Sequence, residues 1–306
     1  MKTIHAVCVT LLFAVVCFAA PVYADGAAFV KKVEDAAQLG DANAQSELGF
    51  LYFKGLGVRQ DYVKSIEWFE KAAQQGNLKA QLVLGVISED AQLGRQDYVK
   101  AKEWYEKAAQ QGNAIAQRLL GRLYANGKGV RQDYVKAKEL LESSAKQGDV
   151  DAQGMLGDLY KNGRGVRQDY AKAKEWYEKA AAQGYVDAQR LLGFLYENGK
   201  GVRQDYVKAK EWYEKAAQQG NADAQFALAG FYANGQGVRQ DYVKAREWCE
   251  KAAQQGNADA QYNLGAFYLN GDGGVSQDPV KAKEWFGKAC DNGLQRGCDE
   301  YASLNR

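Results

Sequence analysis

The sequence predicts an all-α fold, a solenoid of seven stacked 36-residue helix pairs. Its 306 residues repeat one motif at a fixed interval, without strand-like alternation of apolar and polar residues. The tyrosines that follow Gln-Asp are each 36 residues apart, at Tyr62, Tyr98, Tyr134, Tyr170, Tyr206 and Tyr242. The Ala-Gln pairs keep the same spacing and begin at Ala44, Ala80, Ala116, Ala152, Ala188, Ala224 and Ala260. A fixed period in the thirties is typical of stacked helix pairs.

The first residues have the organisation of a secretory signal peptide. Lys2 precedes an apolar stretch over residues 4–20, and small residues follow up to Ala24. A basic start, an apolar middle and small residues at the exit are typical of a cleaved signal. We predict a signal peptide of residues 1–24, cleaved between Ala24 and Asp25, and a periplasmic or secreted protein without membrane insertion. The alternative is an uncleaved membrane anchor, because the apolar stretch is nearly long enough to span a bilayer.

Charge and histidine content exclude several classes of function. The chain has 40 basic and 38 acidic residues, and loss of Lys2 with the signal leaves a net charge of +1, or 39 against 38. Nucleic-acid binding needs clustered positive charge, so we expect no nucleic-acid partner. The one histidine, His5, lies in the signal, so the mature chain lacks the imidazole of common catalytic triads and zinc sites. We expect no cofactor and no metal.

After the signal, we expect an N-terminal capping helix over residues 25–40, seven repeats over 41–293 and a C-terminal capping helix over 294–306. The fifth copy illustrates how each repeat divides into two helices. Its first helix ends before Gly199, because glycine supplies the positive φ that a helix C-terminus favours. Asp205 caps the second helix, since its carboxylate accepts from unpaired backbone N–H groups.

The apolar positions predict how the helices pack, and we call a set of equivalent positions in the copies a column. In the first helix, Ala188, Leu192 and Leu195 form one apolar stripe. A glycine column runs beside it, at Gly49, Gly85, Gly121, Gly157, Gly193, Ala229 and Gly265. Helical glycine costs about 1 kcal/mol relative to alanine, so we expect the backbone of a neighbouring helix to approach there. In the second helix we predict a buried core column at Trp68, Trp104, Leu140, Trp176, Trp212, Trp248 and Trp285.

The recurring residues resemble the Sel-1-like repeat, a relative of the tetratricopeptide repeat. In the fifth copy they are Ala188, Leu192, Gly193, Tyr196, Gly199, Gly201, Val202, Asp205, Lys208, Ala209, Trp212, Lys215, Ala216, Ala217 and Gly220. The resemblance covers about residues 41–304 and implies a right-handed α/α superhelix whose first helices line a concave face. The second copy departs from the pattern at Ser88, Ala91 and Leu93, where we expect an irregular loop.

The cysteines extend this resemblance to the secreted, cysteine-rich members of the family. Cys290 and Cys298 are separated by seven residues, as in the cysteine pairs that bridge adjacent helices in those members. The resemblance therefore implies a Cys290–Cys298 disulfide, for which an exported chain supplies the oxidising setting. Cys249 falls in the column of Phe69 and Tyr105, so we interpret it as a buried apolar residue.

Three columns of the first helices change in nearly every copy and are predicted to lie opposite the core stripe. From them we predict a partner-binding face with aromatic anchors and with arginines that pair carboxylates. Its candidate residues are Phe50, Arg118, Arg122, Asp158, Arg190, Phe194, Phe226 and Tyr262. The alternative is a solvent-exposed face whose residues vary between copies without any binding function.

These patterns predict a non-enzymatic scaffold or adaptor of the cell envelope that binds a peptide or protein on its concave face. One alternative is a secreted factor that interacts with host cells. Another is a weak penicillin-binding protein or β-lactam hydrolase, which the resemblance to the cysteine-rich members implies. The one S-x-x-K, Ser143 to Lys146, lacks the S-D-N and K-T-G elements of serine β-lactamases, so we interpret it as a chance match.

Overall fold

A computed structural model describes residues 26–93 and 96–304, which form sixteen α-helices and no strand. The helices are α1 (Gly26–Gln38), α2 (Ala42–Lys54), α3 (Tyr62–Gln74), α4 (Leu78–Glu89), α5 (Tyr98–Gln110), α6 (Ala114–Asn126), α7 (Tyr134–Lys146), α8 (Val150–Asn162), α9 (Tyr170–Ala182), α10 (Val186–Asn198), α11 (Tyr206–Gln218), α12 (Ala222–Asn234), α13 (Tyr242–Gln254), α14 (Ala258–Asn270), α15 (Pro279–Asp291) and α16 (Gln295–Ser303). The even-numbered helices from α2 to α14 are the first helices of the repeats, called A helices. The odd-numbered helices from α3 to α15 are the second helices, called B helices. The predicted all-α fold of helix pairs is confirmed. The predicted signal peptide, with its cleavage site at Ala24 and Asp25, lies outside the described residues.

The chain divides within α8 into two compact units, the first ending at Ala152 and the second beginning at Gln153. Within each unit, helices that are consecutive in the chain pack together. In the first unit, for example, α2 packs on α3 and α4 on α5, and in the second α12 packs on α13 and α14 on α15.

Local capping residues fix the helix ends, as the sequence predicts. The Asp205 carboxylate accepts from the backbone N–H groups of Val207 and Lys208 at the start of α11. Gly199 ends α10 in the left-handed conformation, with φ of 63°. In the second copy, α4 ends instead at Glu89 with Asp90 in extended conformation, because no glycine is present to reverse the chain. The departure expected there is confirmed at this helix end, whereas Gly94 and Arg95 of the loop lie outside the described residues.

The tryptophan column is half-buried rather than fully buried, which corrects the predicted core. The next residue along each B helix is buried instead, at Phe69, Tyr105, Leu141, Tyr177, Tyr213, Cys249 and Phe286. A helix turns by about 100° per residue, so adjacent positions cannot both face the paired A helix. Trp248 packs at the edges of the two neighbouring core clusters. The Lys251 ammonium lies over its ring, 4.0 Å from the centroid.

Most members of the glycine column face aromatic rings of the B helix. At Gly121 and Gly265 a backbone carbonyl of the B helix also lies 3.2 and 3.1 Å from an added Cβ, so the backbone approach that the sequence suggested is present there. A Cβ added to Gly193 lies 2.7 Å from the Tyr213 ring, and one added to Gly49 lies 2.9 Å from the Phe69 ring. A Cβ this close to a ring would force atoms to move. The B-helix ring therefore explains why a residue without a Cβ occupies the A-helix position. In the sixth copy, Ala229 replaces the glycine and the small Cys249 replaces the ring.

Within each unit, buried glutamines connect successive helices, although in the sequence they only mark the repeat period. The Gln81 side chain donates to the Ala73 carbonyl of the preceding B helix at 3.1 Å. Its carbonyl oxygen accepts from the Gln111 side chain at 2.8 Å. Gln225 makes the equivalent contacts to Ala217 and Gln255. Each of these two glutamines therefore donates a hydrogen bond to a carbonyl near the C-terminus of one B helix. It also accepts one from a glutamine at the C-terminus of the next B helix.

The predicted Cys290–Cys298 disulfide is present and joins α15 to α16. Cys249 is fully buried, which confirms its interpretation as a core residue. Its thiol donates to the Ala260 carbonyl at 3.1 Å. Burial, with a smaller contribution from the Glu250 charge, raises the pKa of the Cys249 thiol to about 12.

Candidate functional site

The three variable columns of the A helices define what we call the variable face. Its members are Ser46, Phe50, Phe53, Leu82, Val86, Glu89, Arg118, Arg122, Ala125, Gly154, Asp158, Lys161, Arg190, Phe194, Glu197, Phe226, Gly230, Ala233, Tyr262, Ala266 and Leu269. Their surroundings differ between the two units.

In the first two copies, the variable face is mostly buried. Phe53, Leu82 and Val86 belong to the core cluster of the first unit, and Phe50 is half-buried against the same cluster. The expectation that these columns lie open is wrong here. Large apolar residues occur at these positions in two successive A helices, and they pack into one cluster instead of facing solvent.

The two predicted binding arginines of the first unit are paired with carboxylates of the chain itself. Arg118 is only 8% exposed, and its Nε donates to Asp149 at 3.1 Å. One Nη nitrogen of Arg122 donates to both carboxylate oxygens of Glu89, at 2.7 and 2.8 Å. Glu89 also accepts from the Tyr105 hydroxyl at 2.8 Å. A partner carboxylate that approached either arginine would have to compete with these ion pairs.

In the second unit, buried B-helix tyrosines reach carboxylates of the variable face. The Tyr177 hydroxyl donates to Asp158 at 2.7 Å, and Asp158 also pairs with Lys161 at 3.1 Å. The Tyr213 hydroxyl donates to Glu197 at 2.7 Å. Burial, reinforced by the adjacent carboxylate, raises the pKa of each tyrosine above its ordinary value. These carboxylates are hydrogen-bond acceptors for the core and are not isolated acids in an apolar site.

Arg190 is the arginine of this face whose hydrogen bonding is incomplete. Its Nε is buried without a hydrogen-bond acceptor, and the nearest carboxylates, Asp187 and Asp223, lie 3.9 Å away. Arg118, in the same column, bonds the helix-capping residue Asp149, whereas the equivalent residue in the Arg190 copy is Asn221. One change of capping residue therefore leaves the Arg190 guanidinium with an unused donor.

The three predicted aromatic anchors of the second unit are all half-buried. Phe194 has the Lys200 ammonium 4.9 Å from its ring centroid. Phe226 packs against the core cluster that contains Cys249. The Tyr262 ring lies 5.3 Å from the Phe286 ring, and the Arg296 guanidinium covers it at 4.4 Å. Each anchor thus keeps part of its surface open while its position is fixed by the fold.

A cavity of about 180 Å³ lies between α12 and α14, and sequence analysis missed it. Its lining includes Gly230, Ala233 and Ala266, which are the small members of the variable face in the last two copies. The signal was present in the sequence, because the same copies carry Cys249 and small residues where other copies carry tyrosine, phenylalanine and glutamate.

Within residues 26–93 and 96–304, no group of three or more histidine, cysteine, aspartate or glutamate side chains is arranged to hold a metal ion. Among the helices described above, none is both long and apolar enough to cross a membrane.

The repeat geometry agrees with a known family. The sequence model of the Sel1 repeat matches residues 42–77, 78–113, 114–149, 150–185, 186–221, 222–257 and 258–294. This chain belongs to the Sel1 repeat family. Proteins with Sel1 repeats generally act as scaffolds for protein–protein interaction.

Two solved structures share this Sel1 repeat fold along most of the chain. A protective antigen of uropathogenic Escherichia coli is 38% identical with a TM-score of 0.84, and the match covers 90% of this chain and 59% of the antigen. A Sel1 repeat protein from Oxalobacter formigenes is 36% identical with a TM-score of 0.78, covering 90% of this chain and 80% of that protein. Among curated proteins, none matches this chain.

Proposed function

We propose that this Sel1 repeat protein is a non-enzymatic scaffold of the cell envelope that holds a protein or peptide on its variable face. The observation that carries the proposal is the state of the second unit. There Arg190 has an unused buried donor, and Phe194 and Phe226 keep part of their rings exposed. Partially exposed aromatic and arginine side chains are the residue types that dominate protein interfaces. We assign the variable face of α10 and α12, which the sequence predicts to be concave, as the main contact area.

The test is cross-linking capture with matched variants of the second unit. The triple variant Arg190→Ala, Phe194→Ala, Phe226→Ala is expected to lose partner capture while its helical circular dichroism at the temperature of the assay stays close to wild type. The control is Lys208→Ala on the exposed surface of α11, which is expected to capture normally. Capture that survives the triple variant would remove the proposal.

We propose that the protein is exported, with a signal over residues 1–24. The Cys290–Cys298 bond supports this, because such bonds persist mainly in oxidising compartments. N-terminal sequencing of the exported chain is expected to begin at Asp25. A chain that keeps Met1 in the membrane fraction would favour the uncleaved anchor instead.

A second candidate is a secreted factor that interacts with host cells. The similarity to the protective antigen of uropathogenic Escherichia coli favours it, although this chain spans only 59% of that protein. Fractionation separates the two: a periplasmic scaffold remains in the osmotic-shock fraction, whereas a secreted factor accumulates in the medium and binds to host cells.

We propose no enzymatic activity. Neither member of the Ser143–Lys146 pair lies in an enclosed site, since Ser143 is half-buried and Lys146 is exposed. Nitrocefin should therefore be hydrolysed no faster by the wild type than by Ser143→Ala. Hydrolysis that this substitution abolishes would establish the β-lactam hydrolase alternative.

A further inference from the structure

The cavity between α12 and α14 has apolar and polar lining residues, and the exposed ones, Asn270 and Asp272, mark its mouth. Ala229, Gly230, Ala233, Ala266 and Phe267 supply apolar surface. The remaining residues around the cavity are Cys249, Asn263, Asn270 and Asp272. Its volume of about 180 Å³ is large enough to receive one extended side chain from another molecule.

The cavity exists because the sixth copy departs from its neighbours at several linked positions. At the equivalent place in the fifth copy, the column position of Cys249 holds Tyr213, whose hydroxyl donates to Glu197 at 2.7 Å. The sixth copy has Cys249 in the place of Tyr213 and Ala233 in the place of Glu197. A Cβ added to Gly230 has no atom within 4 Å, so this side of the cavity is open.

The mouth also carries a charge that distinguishes it from the equivalent places in other copies. Asp272 is exposed and occupies the column in which three other copies have Lys128, Arg164 and Lys200. Lys200 covers the Phe194 ring in its own copy, whereas Asp272 leaves the neighbouring cavity uncovered. The nearby Arg246 pairs with Glu250 at 3.3 Å, so its charge is already balanced.

We propose that this cavity binds a lysine side chain of the partner, an inference that rests on the proposed scaffold function. The aliphatic stem of lysine lies along the alanines and Phe267, as such stems do on apolar surfaces. The ammonium group meets the Asp272 carboxylate and the amide oxygens of Asn263 and Asn270. Three acceptors at one mouth suit the three rotatable donors of an ammonium group, whereas a guanidinium favours a planar bidentate carboxylate. An acidic side chain would be repelled by Asp272.

The experiment uses small probe molecules that share an unbranched alkyl chain, like that of lysine, and differ in the polar group at its end. Binding of n-pentylammonium, 1-pentanol and pentanoate to the full chain is measured by saturation-transfer NMR and by competition. We expect n-pentylammonium to bind about tenfold more tightly than 1-pentanol and pentanoate to bind least. Equal binding of the ammonium and the alcohol would overturn the role of Asp272.

Variants locate the binding in the cavity. Asp272→Lys restores the charge of the other copies and is expected to weaken n-pentylammonium binding at least tenfold. The double variant Ala229→Gly, Cys249→Tyr restores the Gly–Tyr pair of the fifth copy and fills the cavity. If this core change prevents folding, Gly230→Phe closes the cavity from its open side. Ammonium binding that persists in a folded, filled variant would overturn the site.

The fifth copy offers a matched control. Lys200→Asp places an aspartate at the column position of Asp272 in the fifth copy, where the large Tyr213 and Glu197 replace Cys249 and Ala233. This variant is expected to gain no measurable n-pentylammonium binding. Gain of binding by this variant would mean that the acidic charge alone suffices, and the cavity would have no role.

Partner capture separates this inference from the proposed function. If capture depends on Arg190, Phe194 and Phe226 but is unchanged in Asp272→Lys, the scaffold stands and the lysine site is wrong. If n-pentylammonium binds in an Asp272-dependent manner but no variant of the face changes capture, the cavity is supported as a cation site and the proposed scaffold face fails.

Discussion

At the scale of single residues, the most informative feature is the pairing of a small A-helix residue with a B-helix ring. Gly193 leaves room for Tyr213, and a Cβ there would lie 2.7 Å from the ring. In the sixth copy the small Cys249 replaces the ring and Ala229 replaces the glycine, whereas the third copy keeps Gly121 beside Leu141. In the sixth copy the two positions therefore change together, although they are 20 residues apart in the sequence.

This pairing predicts that Gly193→Ala destabilises the protein. Overpacking costs typically about 1–3 kcal/mol, and the better helix propensity of alanine returns about 1 kcal/mol, so a net loss of about 1 kcal/mol is expected in urea unfolding. Adding Tyr213→Cys should remove the steric conflict and give a favourable coupling energy of at least about 0.5 kcal/mol. Ala229→Gly is the control, because it changes propensity without relieving any clash. Strictly additive effects in the double variant would contradict the pairing.

The buried thiol of Cys249 predicts a dependence of stability on alkaline pH. Burial raises its pKa to about 12 from an ordinary 9.0. The unfolded chain therefore releases this proton at lower pH than the folded chain does. The stabilisation is complete below about pH 9 and is lost as the pH rises towards 12, at about 1.4 kcal/mol per pH unit.

The measurement compares urea unfolding of the wild type and Cys249→Ala from pH 8 to 11. The variant is less stable at pH 8 because it leaves a small void, but its stability should fall less steeply with pH. Tyr177 and Tyr213 add alkaline sensitivity above about pH 10, equally in both proteins, because their pKa values are also raised. Parallel pH profiles would show that the thiol makes no such contribution.

At the scale of helices, the sequence predicts boundaries well because their causes are local. Asp205 and Gly199 act within one turn of the helix ends that they cap. The orientation of each helix about its own axis was harder to predict. Trp68 and Phe69 are adjacent and both aromatic, and only packing against the paired A helix decides that Phe69 is buried. The same limit explains why Phe53 and Leu82 were expected at a surface.

The C-terminal helix α16 is joined to α15 by the Cys290–Cys298 bond. It has nine residues, and Gly297 is its one buried member in the described chain. Isolated helices of this length are marginal in water, so the Cys290–Cys298 bond is expected to hold it against α15.

Reduction of this disulfide is therefore expected to free α16 alone. In hydrogen–deuterium exchange, amides of Gln295–Ser303 should exchange at least tenfold faster after reduction, while α10 to α13 remain protected. The Cys290→Ser, Cys298→Ser variant should show the same pattern without reductant. Unchanged protection of α16 in both experiments would mean that packing alone holds it.

At the scale of the whole molecule, what the copies share determines the fold and what they do not share determines the candidate site. The shared residues were sufficient to predict seven helix pairs. The disulfide was predicted instead from a family resemblance at Cys290 and Cys298, which the other copies lack. The candidate site could be predicted only as a set of columns, because the fate of each side chain depends on residues in the next copy. Arg118 and Arg190 occupy one column, yet Asp149 engages the first and Asn221 leaves the second with an unused donor.

That difference predicts that one substitution, Asn221→Asp, weakens partner binding and raises the stability of the folded chain. Asn221→Asp should still cap α12, because aspartate and asparagine cap about equally well. Its carboxylate should also accept from the Arg190 Nε, as Asp149 does from Arg118, and stabilise the folded state by about 1 kcal/mol. The engaged arginine is then less available, so partner capture should weaken while the melting temperature rises. The reciprocal change, Asp149→Asn, should lower stability without improving capture, because Arg118 is buried. A more stable Asn221→Asp variant with undiminished capture would show that the unused Nε donor of Arg190 is not part of the binding surface.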